Sequence, residues 1–212
     1  INRMQREYDS FWTEERQAKA KALSLSPYEV QILASIVASE TNRRDEHPLI
    51  ASLYLNRLRK GIPLQACPTV IYAHGLKDPQ ALKMRRVLKR HLSYDSPYNT
   101  YIYRGLPPTP IRLTRPDVID AVLNAPRTDY LYMCANPDFS GTHIFSSSYA
   151  KHSAVARQYQ RELNNRKIKR NFYITIIYIC FIKLINPHYM IGSSLICHYN
   201  FTRIIFINIW IL

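Results

Sequence analysis

The chain has 212 residues, with 29 Lys and Arg against 15 Asp and Glu, which gives a formal net charge of +14. This length is enough for one ordinary domain with a sizeable core, and the charge favours anionic partners without choosing among them. The cysteines lie far apart without a C-x-x-C pair, which argues against a zinc site and a disulfide framework. We expect Cys67 and Cys134 to be small buried side chains.

The first 25 residues are charged and compatible with a helix. The chain begins with Ile1 and shows no signal peptide. We therefore interpret residues 1–25 as a helical lead-in from a missing upstream part of a longer protein.

A helix is predicted from about Pro27 to Thr41. Ser26 and Glu29 form a capping box, and Pro27 occupies the first helical position. Glu40 falls on the apolar stripe of this helix, where burial would raise the pKa of its carboxyl group and keep it protonated near neutral pH. A general acid needs that property. The alternative is a glutamate near a helix end that reaches water or pairs with Arg43 or Arg44.

A second helix is predicted to restart at Asp45–Pro48 and to end before Gly61. Asn56 lies on its inner stripe, where it is either a satisfied structural amide or a substrate contact. Glu46 competes with Glu40 for the role of the acid. Its position at the helix start favours a capping or dipole interaction instead.

The middle of the chain is predicted to contain an extended segment, a short helix and a long loop. Residues 63–72 read as extended because of Val70 and Ile71, and Ala81–Leu92 reads as a short, very basic helix. The segment from Tyr94 to Ile111 should be a long loop, rich in Pro, Tyr, Asn and Thr. Loops of this length are uncommon in a compact domain without a binding role.

The last third of the domain combines helices and strands. A helix over 117–124, strands over 130–135 and 142–146, and a helix over about 148–167 follow one another. Helices around a small, mostly antiparallel sheet make the fold class α+β.

The composition changes after Arg170. Residues 171–212 contain no acid and are rich in Ile, Tyr, Phe and Asn, and their most apolar stretch is too short for a membrane span. We interpret 26–168 as the domain and 169–212 as a tail that does not belong to it, with a hydrophobic tail anchor as the alternative.

An ordered set of short motifs resembles a known family. It comprises Glu40, Glu46, Leu55–Leu58, Leu64–Val70, Ser96–Tyr101, Gly105–Ile111, Tyr130–Tyr132 and Gly141–Ser146. In this order, over roughly residues 26–165, they resemble the catalytic domain of the endolytic murein transglycosylases of the YceG-like family.

The resemblance implies a lyase that cuts between N-acetylmuramic acid and N-acetylglucosamine in nascent glycan strands and leaves a 1,6-anhydro end. Glu40 would act as general acid and then as base, without a metal or a cofactor. The residues expected around the sugar are Gln65, Tyr98, Asn99, Thr100, His143 and Asn56. For His143, a structural role is the alternative.

The resemblance also implies a setting and partners. Peptidoglycan glycan strands would be the substrate and peptidoglycan synthases further partners, with no nucleic acid. The protein would sit in the bacterial inner membrane through an anchor absent from this chain. Its catalytic domain would face the periplasm or cell wall.

Three positions depart from the family pattern. Ala38 replaces a second acid, Cys67 replaces the Asp of a Gln-x-Asp-Pro-Thr motif, and Thr109 replaces a glycine. A catalytically impaired, peptidoglycan-binding homologue is therefore the alternative function. A nucleic-acid-binding protein using the basic segment Arg85–Arg90 ranks last, because no recognised motif supports it.

Overall fold

Segments that are far apart in the sequence pack against one central helix. In the computed structural model, residues 2–84 and 87–166 are described. The elements are α1 (Asn2–Phe11), α2 (Glu14–Ala22), α3 (Pro27–Glu40), α4 (His47–Arg59), α5 (Cys67–Lys77), a 3₁₀ helix (Pro79–Lys83), α6 (Lys89–Leu92), α7 (Pro116–Leu123), β1 (Tyr132–Ala135), β2 (His143–Ser146) and a helical segment over 149–162, α8.

The chain divides into two units, Ile1–Glu162 and Leu163–Leu212. Of the second unit only residues 163–166 are described, and they are helical. The interpretation of 169–212 as a separate tail lies outside the described residues. Among residues 2–84 and 87–166, no helix combines the length and the apolar character that crossing a membrane requires.

Helix α3 is the central element of the first unit. It begins as predicted, with the Ser26 side chain accepting from the Glu29 backbone N–H while the Glu29 carboxylate accepts from the Ser26 backbone. It packs against α4, α5 and α7. Its residues Val30, Leu33, Ile36 and Val37 are fully buried. Burial on several sides leaves α3 little room to move, so its last residue has a fixed position.

The amino-terminal helices join this core. Helix α2 packs on α3 and α7, and Trp12 and Ala20 belong to the buried cluster. Arg16 on α2 forms a bidentate ion pair with Asp120 on α7. Residues 14–22 are thus packed against the rest of the first unit, while the predicted boundary between a lead-in and a domain at residue 26 stays a prediction.

The predicted α+β class is confirmed. Strands β1 and β2 form an antiparallel pair in which Tyr132 faces Ser146 and Ala135 faces His143. The predicted helix before Gly61 is also confirmed, since α4 ends at Arg59 and Gly61 adopts a φ of +63°.

Two predictions for the middle of the chain are wrong. Residues 67–77 form helix α5, with Pro68 in its first turn, where a missing N–H costs nothing. The basic segment 81–92 is no single helix, because the 3₁₀ helix ends at Lys83 and α6 begins only at Lys89. The long loop after Tyr94 is confirmed, with turns and bends up to the start of α7.

Candidate active site

Glu40 is the last residue of α3 and is partly buried. Loss of hydration raises the pKa of its carboxyl group to about 7, against the opposing effects of a hydrogen bond from Tyr54 and the charge of His143. The Tyr54 hydroxyl, on α4, donates to Glu40 Oε1 at 2.5 Å. The negative end of the α3 dipole also disfavours a carboxylate at this position. Glu40 can therefore hold or release a proton near neutral pH.

Arg43 and Arg44 do not pair with Glu40, so that half of the alternative is wrong, whereas a partly buried Glu40 still reaches water as its other half predicted. Arg43 bonds Asp45 at 2.8 Å, and Arg44 lies 3.6 Å from Asp117. Each arginine thus has an acidic partner of its own, and Glu40 keeps its raised pKa.

Glu46 forms hydrogen bonds with His143, which lies 97 residues further along the sequence. One oxygen of its carboxylate accepts from the His143 backbone N–H at 2.6 Å, and the other lies 2.9 Å from His143 Nδ1. Glu46 is only 5% exposed. Of its predicted capping or dipole interaction, the capping half is wrong, because Glu46 stands at the N-cap of α4 without a side-chain capping bond, and the dipole half stays a prediction. The bond instead fixes the start of β2 beside Glu40.

Gln65 lies in the connection between α4 and α5 in a left-handed conformation, with a φ of +54°. Its backbone N–H donates to the Thr100 carbonyl, and its Oε1 accepts from Arg57 Nη1 at 3.2 Å. The residue is exposed. Among the predicted sugar contacts, Gln65 therefore combines a fixed backbone with an accessible side chain.

Asn99 and Thr100 are buried in the framework of the long loop. The Asn99 amide donates to the Leu92 and Tyr94 carbonyls and its oxygen accepts from the Tyr101 N–H. Thr100 Oγ1 accepts from the Ala66 N–H. These side chains tie the loop to itself and to the start of α5, and a direct contact of either with a sugar stays a prediction.

Tyr98 is partly buried and packs on Tyr72, with ring centroids 4.9 Å apart. Its hydroxyl lies 2.7 Å from Thr109 Oγ1, so the residue that replaces the usual glycine gives this tyrosine a partner. The bond connects two points of the long loop.

Asn56 has the contacts expected of a satisfied structural amide, one of its two predicted roles. Its amide nitrogen donates to the carbonyls of Thr128 and Tyr130, and its oxygen accepts from Arg59. It is 8% exposed. These bonds attach α4 to the segment that leads into β1, and a contact between Asn56 and substrate stays an untested prediction.

Cys67 begins α5 and is exposed, so the expectation of a small buried side chain is wrong for this residue. Its sulfur lies 3.2 Å from the Tyr101 hydroxyl. Desolvation raises the pKa of the Cys67 thiol and the pKa of the Tyr101 hydroxyl, and the charge of Glu40 adds a smaller contribution to each. The weakly polar pair of Cys67 and Tyr101 therefore lies near Glu40. Cys134 is partly buried.

A cleft of about 290 Å³ is lined in part by Tyr54, the hydrogen-bond partner of Glu40, while Glu40 itself does not belong to the lining. The lining comprises Leu53, Tyr54, Arg57, Leu64, Gln65, Tyr101, Leu131, Tyr132, Met133, Tyr149 and His152. Tyr54 belongs both to this lining and to the hydrogen bond with Glu40, so the cleft adjoins the acid. A larger depression, of about 380 Å³, is lined by α2 and the start of α3 and includes no predicted site residue.

Arg57 is a cleft residue to which sequence reasoning assigned no role. It is 6% exposed and donates to the carbonyls of Leu131, Pro63 and Leu64 as well as to Gln65. A cation in the middle of an otherwise apolar helical stripe was the signal that could have identified it. It joins α4, the α4–α5 connection and the start of β1.

Comparisons with known proteins identify the family of the chain. The sequence model of the YceG-like family matches residues 1–158. The chain belongs to the YceG-like family. It is 34% identical over 156 residues to an endolytic murein transglycosylase of Bacillus subtilis and 30% identical over 145 residues to one of Streptococcus pneumoniae.

Those matches cover 73% and 68% of this YceG-like chain, but only 41% and 26% of the two relatives. The chain thus spans less than half the length of either. A crystal structure of a putative YceG-like protein from Listeria monocytogenes superposes with a TM-score of 0.58 at 32% identity, covering 66% of this chain and 43% of that one. Glu40 and the residues that line the cleft lie within residues 1–158, which the family model matches.

Proposed function

We propose that this chain carries the catalytic portion of an endolytic peptidoglycan lytic transglycosylase, with Glu40 as its acid and base. The proposal is supported chiefly by one observation, a carboxyl group with a pKa raised to about 7 beside an open cleft. Curated relatives named as endolytic murein transglycosylases support the same reaction class.

The proposed reaction has two halves and needs one carboxyl group. Protonated Glu40 gives its proton to the oxygen that links N-acetylmuramic acid to N-acetylglucosamine, and that bond breaks. The resulting Glu40 carboxylate takes the proton from the C6 hydroxyl of the muramic acid, whose oxygen then closes onto C1. The nucleophile belongs to the substrate, so the attack is intramolecular and favoured by proximity. A pKa near 7 suits a group that must serve in both forms.

The roles around the sugar follow from exposure and bonding. Exposed Gln65 is the proposed hydrogen-bonding contact, and the tyrosines of the cleft offer faces on which sugar rings can stack. Buried Asn99 and Thr100 act in the proposal by shaping the loop. Glycan strands are the proposed substrate, peptidoglycan synthases are proposed partners, and the cell envelope is the proposed location.

The test is product analysis with the full chain. Purified, uncrosslinked glycan strands are incubated with the protein, with Glu40→Gln and with Glu14→Gln, and the ends are identified by mass spectrometry. Glu14 is exposed on α2, so the same substitution at this position is a matched control. We expect anhydro-muramic ends from the parent and the control, and at least about a 100-fold loss in Glu40→Gln.

Other products would point elsewhere. Reducing ends would mean hydrolysis, which needs a second carboxylate and a water molecule. Strand binding without cleavage by the folded parent would favour the impaired, wall-binding homologue, and Cys67→Asp is then the first variant to assay for restored cleavage.

A further inference from the structure

Arg57 buries a positive charge in the cleft without an acidic partner. The residue is 6% exposed. Within residues 2–84 and 87–166, no ion pair includes Arg57, and no Asp or Glu lines the cleft. Burial lowers the pKa of the guanidinium group, although an arginine stays protonated in proteins. Burying an unpaired charge is costly, and an anion that enters the cleft offsets that cost.

The guanidinium group uses only part of its donors inside the protein. Its Nε and Nη1 donate to the carbonyls of Leu131, Pro63 and Leu64 and to the side chain of Gln65. No residue that the structure describes accepts a hydrogen bond from Nη2, and Nη2 is not among the fully buried polar atoms that lack a partner. Nη2 is thus accessible, and its two N–H groups are available to a ligand in the cleft that Arg57 lines.

The contacts of Nε and Nη1 also fix the direction of Nη2. The ring of Tyr132 lies against the guanidinium group, with its centroid 5.4 Å from the Arg57 Cζ. Because the group is planar, bonds along its edges and a ring on one face leave Nη2 in a defined place. Arg57 follows Tyr54 by three residues on α4, so the two side chains share one face of the helix. Tyr54 bonds Glu40, and the free donors therefore lie close to the residue that holds this carboxyl group.

We propose that Nη2 of Arg57 binds a carboxylate of the glycan strand, which makes Arg57 a substrate-binding residue of the cleft. This inference rests on the proposed function. Such a strand carries carboxylates of two sources, the lactyl group of N-acetylmuramic acid where no peptide is attached, and the peptide stem. A carboxylate that accepts from a guanidinium group forms a charge-assisted hydrogen bond, which is stronger than a neutral one. This bond holds the strand in a fixed register relative to Glu40.

The test keeps Arg57 in place, because three buried carbonyls lose their donor when it is replaced and the fold is destabilised. Gln65→Glu puts a carboxylate where the Gln65 oxygen lies 3.2 Å from Nη1, and this carboxylate neutralises the guanidinium charge from within the protein. Gln65→Met removes the same amide without adding a charge. Gln80→Glu adds the same charge at an exposed position outside the cleft lining.

The measurement is calorimetry of strand binding to the full chain, with every variant made in Glu40→Gln so that no strand is cleaved. Three kinds of strand of equal length are compared: one with free lactyl carboxylates, its methylamide, in which these groups are neutral, and one whose lactyl groups carry peptide stems. We expect a carboxylate-bearing strand to bind about tenfold more tightly than the methylamide, and the strand that does so identifies the source of the carboxylate. Gln65→Glu should lose this preference, whereas Gln65→Met and Gln80→Glu should keep it.

The outcomes distinguish the two proposals. Equal affinities of Glu40→Gln for all three strands would overturn the inference, because water alone then satisfies Nη2. A preference that persists in Gln65→Glu, or that Gln80→Glu also abolishes, would overturn it as well, since the preference then comes from the charge of the whole chain. Anhydro-muramic ends in the product assay leave the transglycosylase proposal intact in each of these cases. A chain that forms no such ends but loses the preference only in Gln65→Glu would overturn the proposed function and keep the carboxylate site.

Discussion

At the scale of a single residue, the raised pKa of Glu40 makes the stability of the fold depend on pH. Its ordinary pKa is 4.5 and rises to about 7 in the fold, so the folded state prefers the protonated form. Both states are protonated below about pH 4, and the difference in stability develops as the pH rises from about 4.5, where the unfolded chain ionises, to about 7, where the folded protein ionises. An ionised Glu40 therefore destabilises the folded protein at alkaline pH.

Glu40→Gln should consequently be more stable than the parent at pH 8, by up to about 3 kcal/mol, and equal to it near pH 4. The amide oxygen that Glu40→Gln introduces can still accept a hydrogen bond from the Tyr54 hydroxyl. Chemical denaturation at the two pH values measures the difference. A variant that is less stable than the parent at pH 8 would show that the carboxylate is favoured in the fold, contrary to the proposed acid.

Tyr54→Phe should raise the pKa of Glu40 further. The hydroxyl of Tyr54 donates to the carboxylate and thereby favours the ionised form, so its loss leaves burial less opposed. An NMR titration of the Glu40 side-chain carboxyl carbon gives the pKa directly. Tyr28→Phe, at a 48% exposed position on the first turn of α3, is the matched control and should leave it unchanged. A lower pKa in Tyr54→Phe contradicts the assignment.

The sequence predicted the raised pKa of Glu40 because its cause is local. Helical spacing alone places Glu40 on the stripe of Leu33, Ile36 and Val37. The partner of Glu46 could not be predicted in the same way, since 97 residues separate it from His143 and no local pattern encodes such a contact. The local signal at Glu46, a helix start, pointed to capping.

At the scale of an element, the capping of the first turn of α3 stabilises the helix that carries Glu40 as its last residue. The capping box at Ser26 and Glu29 satisfies backbone groups that the first turn leaves unpaired. Ser26→Ala should lower the free energy of unfolding by about 1 kcal/mol. Ser10→Ala, on exposed α1, is the control and should have a smaller effect. Equal losses in the two variants, measured by urea denaturation, would mean that the cap adds nothing.

Helix α5 shows why one element was mispredicted. Val70 and Ile71 are typical of strands, and this outweighed Pro68 as a sign of a first helical turn. Tertiary packing decides the outcome, because Val70 and Ala73, one helical turn apart, are both buried. Their spacing of three residues fits a helical face and not the alternation of a strand. The strands β1 and β2 were predicted to within about two residues of their observed bounds.

At the scale of the whole molecule, two arginines join distant segments with different burial. Arg57 is 6% exposed and bonds three carbonyls, whereas the Arg16 side chain is 29% exposed and pairs with Asp120. Arg57→Gln should cost about 3 kcal/mol or more, because buried acceptors lose their donors. Arg16→Gln should cost about 1 kcal/mol or less.

Thermal denaturation of the two arginine variants checks this ranking. A loss for Arg16→Gln that matches or exceeds that of Arg57→Gln would show that the attachment of α2 to α7 holds the unit together more than the junction beneath the cleft. The sequence could not supply this ranking, since it gives both residues the same charge and neither its partner.

The long loop after Tyr94 has a thermodynamic consequence through Asn99. A buried amide that bonds three backbone groups leaves this wall of the cleft already ordered before any ligand arrives. Association then loses little conformational entropy from the protein, and most of the ordering falls on the proposed glycan substrate. Calorimetry of strand binding to Glu40→Gln should accordingly show a modest heat-capacity change, of the size that a contact surface alone produces and without the larger signature of coupled folding.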